Sequence, residues 1–185
     1  QLVTVERLID FFNAGVCPVV YMQGSVGASG DLVPLAHLCL PLVGLGEVEF
    51  EGQQMSGAEL LQLKHWEPIA LASKEGLALL NGTQNMAAFG CWAIIKAKQL
   101  SQWADCIAAL SLDAYDGRIE AFYHAVHAVR PHKGQLDTAA RISQLLAGSQ
   151  IIEKAKTHVQ DPYSFRCIPQ VHGTVKDTLQ YGEHV

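Results

Sequence analysis

Charge is scarce in this chain, and positive charge scarcer: 17 % of its 185 residues are charged, and 13 Lys and Arg stand against 18 Asp and Glu for a net charge of -5. With a pI near 5.9, that balance offers no basic footprint for a phosphate backbone and argues against a nucleic-acid partner. Long uncharged apolar runs are missing too. None reaches the ~18–20 residues that cross a bilayer, and the opening residues carry no signal-peptide pattern, so no membrane partner is expected. Cysteine is sparse and unpaired in spacing: Cys17, Cys39, Cys91, Cys106 and Cys167 contain no CxxC. That argues against a zinc knuckle or a thioredoxin-type site. An odd number on mostly apolar segments predicts reduced, buried thiols and a cytoplasmic location.

Apolar residues are plentiful at 49 %, which excludes disorder and predicts a large buried core. The first residue is Gln1, not Met, and a fragment of a longer protein is expected. Val5, Leu8, Ile9 and Phe12 predict a helix over Thr4 to Phe12, stopped by Gly15 and Pro18. Asp31 is positioned to cap a helix over Leu32 to Val43, with Pro34 in its first turn. Val48 and Phe50 alternate ahead of Glu51-Gly52, predicting a small hairpin over 47–54. Ser56-Gly-Ala-Glu59 reads as a capping box before Leu60, Leu61 and Leu63. From about 82 to 115 the chain is helix-compatible, rich in alanine and apolar on nearly every side, so it must be covered on every side. So short a chain supplies too few partners for that, and missing sequence or other subunits are expected to do it. A further helix is predicted over Gln135 to Ala147, closed by Gly148, with 130–134 as the clearest loop. Only the hairpin suggests strand, so the fold class is mainly α.

The segment Gly24-Ser-Val-Gly-Ala-Ser-Gly-Asp31 concentrates backbone freedom in one place, and each glycine there costs conformational entropy on folding. As a phosphate cradle it fails: its glycines are three apart and no Lys-Ser/Thr follows. As a nucleophile elbow it also fails, because Asp31 stands where the second glycine of GxSxG belongs. A third reading uses the backbone itself. The Gly30 nitrogen is unhindered and can attack the Ala28 carbonyl in a tightly bent loop. Water is lost, and Ser29 then loses its hydroxyl as a second water, giving a methylidene-imidazolone, a strong electrophile. Ala-Ser-Gly is common, however, and alone fits an ordinary flexible helix-entry loop.

Longer motifs decide more. GSVGASGDLVPLAH (24–37), KEGLALLNGTQ (74–84) and VQDPYSFRCIPQVHG (159–173) closely resemble, in order, the prosthetic-group loop and two further signatures of the aromatic amino acid lyase family. The resemblance covers nearly the whole chain and implies one partial lyase domain over 1–185, a long-helix bundle with a small hairpin. Gln84, GSVG and RCIPQVHG resemble the histidine-acting members. Phenylalanine- or tyrosine-acting lyases and aminomutases of the family remain the alternatives, and beyond them a non-catalytic helical assembly module.

The resemblance implies elimination of ammonia from L-histidine by an electrophile formed from Ala28, Ser29 and Gly30, without a metal or pyridoxal phosphate, in a homotetramer. It implies that Asp31 assists the cyclisation, Asn81 hydrogen-bonds the imidazolone, Tyr163 places a hydroxyl near it, Arg166 takes the substrate carboxylate and Gln160 adds a polar contact. Asp161-Pro162 resembles a cap followed by a first-turn proline, and a helical turn there would put Tyr163 and Arg166 on one face. Each has a plainer alternative: a turn for Asn81, a helix cap for Asp31, a solvated surface charge for Arg166. His124, His127 and His132 lack a carboxylate or cysteine at ligand spacing, so exposed or core histidines are preferred over a metal site; His172 receives no role. The family's tyrosine base and its imidazole-contacting glutamate belong to segments without a counterpart here, so this piece alone is expected to be inactive.

Overall fold

Helix α1, Leu2–Asn13, forms where the apolar spacing places it and ends before Gly15, whose φ of 69° no β-carbon favours. Only part of that apolar set packs inward, Leu8 resting against the core. Phe11 and Thr4 turn inward, while Val5, Ile9 and Phe12 are exposed. The computed structural model of the protein describes residues 1–25 and 30–185; Ala28 and Ser29, two of the expected ring-forming residues, lie outside them. The chain is built as two compact units, residues 1–89 and 90–185.

In the first unit a third strand joins the predicted hairpin. Strand β1 (Cys17–Pro18) pairs antiparallel with β2 (Glu47–Phe50), which pairs antiparallel with β3 (Gln53–Ser56). The alternation of sequence could not reveal a strand only two residues long, and Pro18 is tolerated because β1 lies on the sheet edge. Between β2 and β3, Glu51 and Gly52 both take positive φ, 51° and 77°, the turn that matches strand twist. Helix α2 (Leu32–Cys39) is shorter than expected and tightens into a 3-10 turn over Leu40–Val43. Pro41 lacks the N–H that a continuing α-helix needs. Helix α3 (Gly57–Leu63) starts on the predicted capping box: Ser56 Oγ accepts the Glu59 N–H and Glu59 accepts the Ser56 N–H at 2.8 Å. Helix α4 (Glu75–Leu80) follows. Phe11, Leu42, Val48, Phe50, Leu60 and Leu61 form the core. Of the five cysteines only Cys39 is buried, which pushes its thiol pKa up; Cys17 and Cys91 are exposed, correcting the expectation of buried thiols.

The long helix α5, Gln84–Ala114, begins in the first unit and runs on into the second. Asp105, Ala109 and Leu112 form its one buried face. On another face Trp92, Leu100, Trp103, Ile107 and Leu110 are all more than half exposed. Among the described residues, nothing covers the helix along that stripe.

The second unit continues with α6 (His124–Ala128), α7 (Lys133–Leu145), α8 (Gln150–Glu153), α9 (Tyr163–Arg166) and α10 (Ile168–His184). Lys133 and Gly134 are already helical, so the predicted loop at 130–134 is shorter than expected. Helices α7 and α10 meet at two glycines. A Cβ on Gly173 would lie 2.4 Å from the Gln135 nitrogen, and one on Gly134 would lie 2.2 Å from the Gly173 carbonyl oxygen. Asp177 of α10 accepts the Gly134 N–H at 2.7 Å and so caps α7 from outside its own chain segment. His127 is a fully buried core histidine: Nε2 donates to the Ala121 carbonyl at 2.9 Å, and Nδ1 accepts from the Gln135 amide.

Candidate active site

Residues of the glycine loop and of the second motif come together in the first unit. The second motif folds as α4, a corner at Asn81-Gly82-Thr83, and the start of α5. The corner receives the end of the loop: Asp31 N–H donates to the Gly82 carbonyl at 3.0 Å. Gly30 has a φ of 104°, and a Cβ there would sit 3.0 Å from both Asn81 Oδ1 and the Gly82 carbonyl oxygen. The position thus disfavours a side chain on two grounds, backbone conformation and space.

Asp31 is 2 % exposed, and its carboxylate does not cap the helix that follows it. Its Oδ2 accepts the Met86 N–H at 2.9 Å, in the first turn of α5, and its Oδ1 accepts the Ser25 hydroxyl at 2.8 Å. The predicted capping residue is thus a cap, but of a helix fifty-odd residues away in sequence. Spacing cannot reveal that, because the carboxylate is donated through the fold. Only its backbone carbonyl serves α2, accepting from Leu35 at 3.0 Å.

Gln160, Tyr163 and Arg166 come together in the second unit. The turn α9 does form and does put Tyr163 and Arg166 on one face: the guanidinium carbon lies 4.1 Å from the Tyr163 ring centre, a cation–π distance. Arg166 is half-buried, and its Nε is enclosed without a hydrogen-bond partner among the described residues. Gln160 and Arg166 line one cavity of about 300 Å³ with Arg118, Glu120 and Gln170.

The expected Asp161-Pro162 cap is corrected. Pro162 itself takes the cap position, and its carbonyl accepts from Phe165 and Arg166. Asp161, 3 % exposed, turns the other way: Oδ2 accepts the Arg118 N–H and Oδ1 the His158 imidazole, both at 2.7 Å. The Arg118 guanidinium donates to the His158 carbonyl at 2.6 Å. These bonds fasten the segment carrying Gln160 before the turn begins. His172, without a role in the sequence reading, faces the fully buried Asp105 at 2.9 Å, and Lys176 donates to the same carboxylate at 2.6 Å. Arg118 and Asp105 sit outside all three motifs, and no periodicity singles them out. Among the described residues no cluster of His, Cys, Asp and Glu has metal-binding geometry, and no helix is long and apolar enough to cross a membrane.

The chain is 49 % identical over 186 residues to a histidine ammonia-lyase of Chloroflexus aurantiacus, covering 100 % of this chain and 36 % of that relative. It spans, then, little over a third of the relative's length. Among solved structures, a phenylalanine aminomutase of Pantoea agglomerans superposes with a TM-score of 0.89 at 34 % identity, over 100 % of this chain and 39 % of that one. A histidine ammonia-lyase from Trypanosoma cruzi superposes at 0.84 with 38 % identity, over 98 % and 33 %. The family model of the aromatic amino acid lyases matches residues 1–185. Matched from end to end in sequence, and carrying the same helical architecture, the chain belongs to the aromatic amino acid lyase family.

Proposed function

We propose that the intact protein is a histidine ammonia-lyase, eliminating ammonia from L-histidine to leave trans-urocanate. Its electrophile is a methylidene-imidazolone made from Ala28, Ser29 and Gly30. The observation that carries this reading is the packing of Gly30-Asp31 on Asn81-Gly82, which crowds a β-carbon at the one position whose nitrogen must close the ring. The identity to relatives named as histidine ammonia-lyases favours histidine over the aromatic substrates of the aminomutases.

Such a group fits the residues around it. A ring closed through the Gly30 nitrogen would keep a bare α-carbon beside Asn81, and the Asn81 side chain would hydrogen-bond the group, as the family resemblance implies. When formed, the group supplies an electron sink that no side chain offers, in the way a cofactor carries the hard chemistry. The chain's own residues orient. Arg166 binds the substrate carboxylate through its fork, Tyr163 sets its ring against the guanidinium and presents its hydroxyl, and Gln160 adds a polar contact. Five free thiols suit a reducing, cytoplasmic setting. Intact mass spectrometry tests the reading: the peptide Tyr21 to His37 should be lighter by two waters, and the protein should release urocanate, followed by its absorbance. An uncyclised peptide from folded protein would sink it.

Arg166→Lys should raise KM for histidine with a smaller effect on turnover. A point charge would replace a planar fork, and a charge-assisted pair is worth about 1.5–3 kcal/mol, or roughly 10- to 150-fold in KM. Unchanged kinetics would return Arg166 to an ordinary surface charge.

The exposed stripe of α5 supports a homotetramer as the working form. Trp92, Trp103 and Leu110 on one face make an apolar patch of a kind that soluble monomers rarely leave open. Trp103→Glu should dissociate the assembly, as read by light scattering, because it buries a charge without a partner. An unchanged mass would place the subunit contacts elsewhere.

A further inference from the structure

We propose that Ser25 is a positioning residue for ring closure, acting through Asp31; the inference rests on the cyclisation reading above. Besides its carbonyl, which serves α2, Asp31 is fastened at three points. Its N–H donates to Gly82 at 3.0 Å, one carboxylate oxygen accepts the Met86 N–H at 2.9 Å, and the other accepts the Ser25 hydroxyl at 2.8 Å. The first two bonds anchor the far end of the glycine segment to the Asn81-Gly82 corner and to α5. Only the third reaches the near end. The Ser25–Asp31 bond therefore ties residue 25 to residue 31 and limits the span that the five intervening residues must bridge. Among the described residues, nothing else hydrogen-bonded to Asp31 comes from that side of the segment.

The chemistry gives the tie a purpose. In the first step a bond forms between the Gly30 nitrogen and the Ala28 carbonyl carbon. The carbonyl oxygen leaves as water with one proton from Gly30 N and one from Ser29 N, leaving a C=N bond to the Ser29 nitrogen. In the second step the Ser29 α-proton and hydroxyl leave as water, and the exocyclic C=C forms. Both steps are dehydrations and need no oxidant. The first is an attack across two residues that an open chain rarely approaches, and its rate depends on how often the segment is bent enough to permit it. Restraining both ends raises that frequency as any pre-paid orientation does. Carboxylate oxygens bonded once each also keep acceptor capacity for a proton leaving a backbone nitrogen.

The test follows the rate at which newly synthesised intact protein loses two waters, by mass spectrometry, alongside thermal melting of the same samples. Ser25→Ala should slow water loss roughly tenfold, the effect of losing one hydrogen bond to a charged group, with little change in melting. Ser25→Thr, which keeps the hydroxyl, should restore the wild-type rate. Ser25→Cys, of similar size with a weak donor, should behave like alanine and carries the test if the alanine variant does not fold. Wild-type cyclisation together with an unchanged rate in Ser25→Ala and Ser25→Cys overturns the role of Ser25 alone. Wild-type protein that folds and keeps both waters overturns the cyclisation reading itself.

Discussion

Gly30→Ala should leave the intact protein folded but uncyclised, with both waters retained and histidine turnover at background. Two effects act together at this position. Alanine at a φ of 104° is strained by about 1–3 kcal/mol. Its Cβ would also press on Asn81 Oδ1, the Gly82 carbonyl oxygen at 3.0 Å and the Gly82 nitrogen at 3.1 Å. Two of those three atoms are backbone at a corner held by the Asp31 N–H bond, so they cannot swing aside as a side-chain tip would. The residue relieves both effects by moving out of the corner, and that displaces the nitrogen on which ring closure depends. A 1 Å misplacement of a reacting atom already costs about 100-fold. Intact mass and urocanate release read the result on one preparation. A cyclised, active Gly30→Ala protein would mean that the corner yields, and that the close packing here has no part in forming the electrophile.

What the sequence made legible follows from how local each cause is. The capping box at Ser56–Glu59 and the positive-φ turn at Glu51-Gly52 are set by neighbours within a few residues, and both stand where the residues place them. So does the pairing of Tyr163 with Arg166, which needs only one helical turn. The failures share a different cause. Asp31 caps α5 rather than α2, Asp161 holds Arg118 and His158 rather than the turn beside it, and Asp177 caps α7 from α10. Each is a carboxylate satisfying backbone donors that are remote in sequence and adjacent in the fold. A short polar side chain next to a helix start looks the same in sequence whether it turns toward that helix or away. The spacing of Val5, Ile9 and Phe12 places helix α1, but it does not say what covers those side chains, and all three are exposed.

The third motif carries a structural demand as severe as its chemical one, and Gly173→Ala should expose it. Alanine is favoured over glycine inside a helix by about 1 kcal/mol, so on helix propensity alone the substitution would stabilise α10. Packing opposes it. The new methyl would lie 2.4 Å from the Gln135 nitrogen, 2.5 Å from its α-carbon and 2.7 Å from the Gly134 carbonyl carbon, all of them backbone atoms of α7. No rotamer change relieves those contacts; the two helices must separate. Overpacking of a formed core costs about 1–3 kcal/mol when side chains can adjust, and more when they cannot, so the packing loss outweighs the propensity gain. Separation would also lengthen the Gly134 N–H bond to Asp177 at 2.7 Å and pull on His172, which holds Asp105 of α5. A net loss of about 2–4 kcal/mol is expected, lowering Tm by roughly 4–16 °C for a chain of this size. Gly182→Ala supplies the comparison on the same helix: its Cβ would meet only the tip of Ile94 at 3.7 Å, ordinary contact, so propensity should win and Tm should hold or rise. Equal melting of the two variants would show that the helix crossing opens at no cost, and that a glycine at 173 is not what lets α7 and α10 approach.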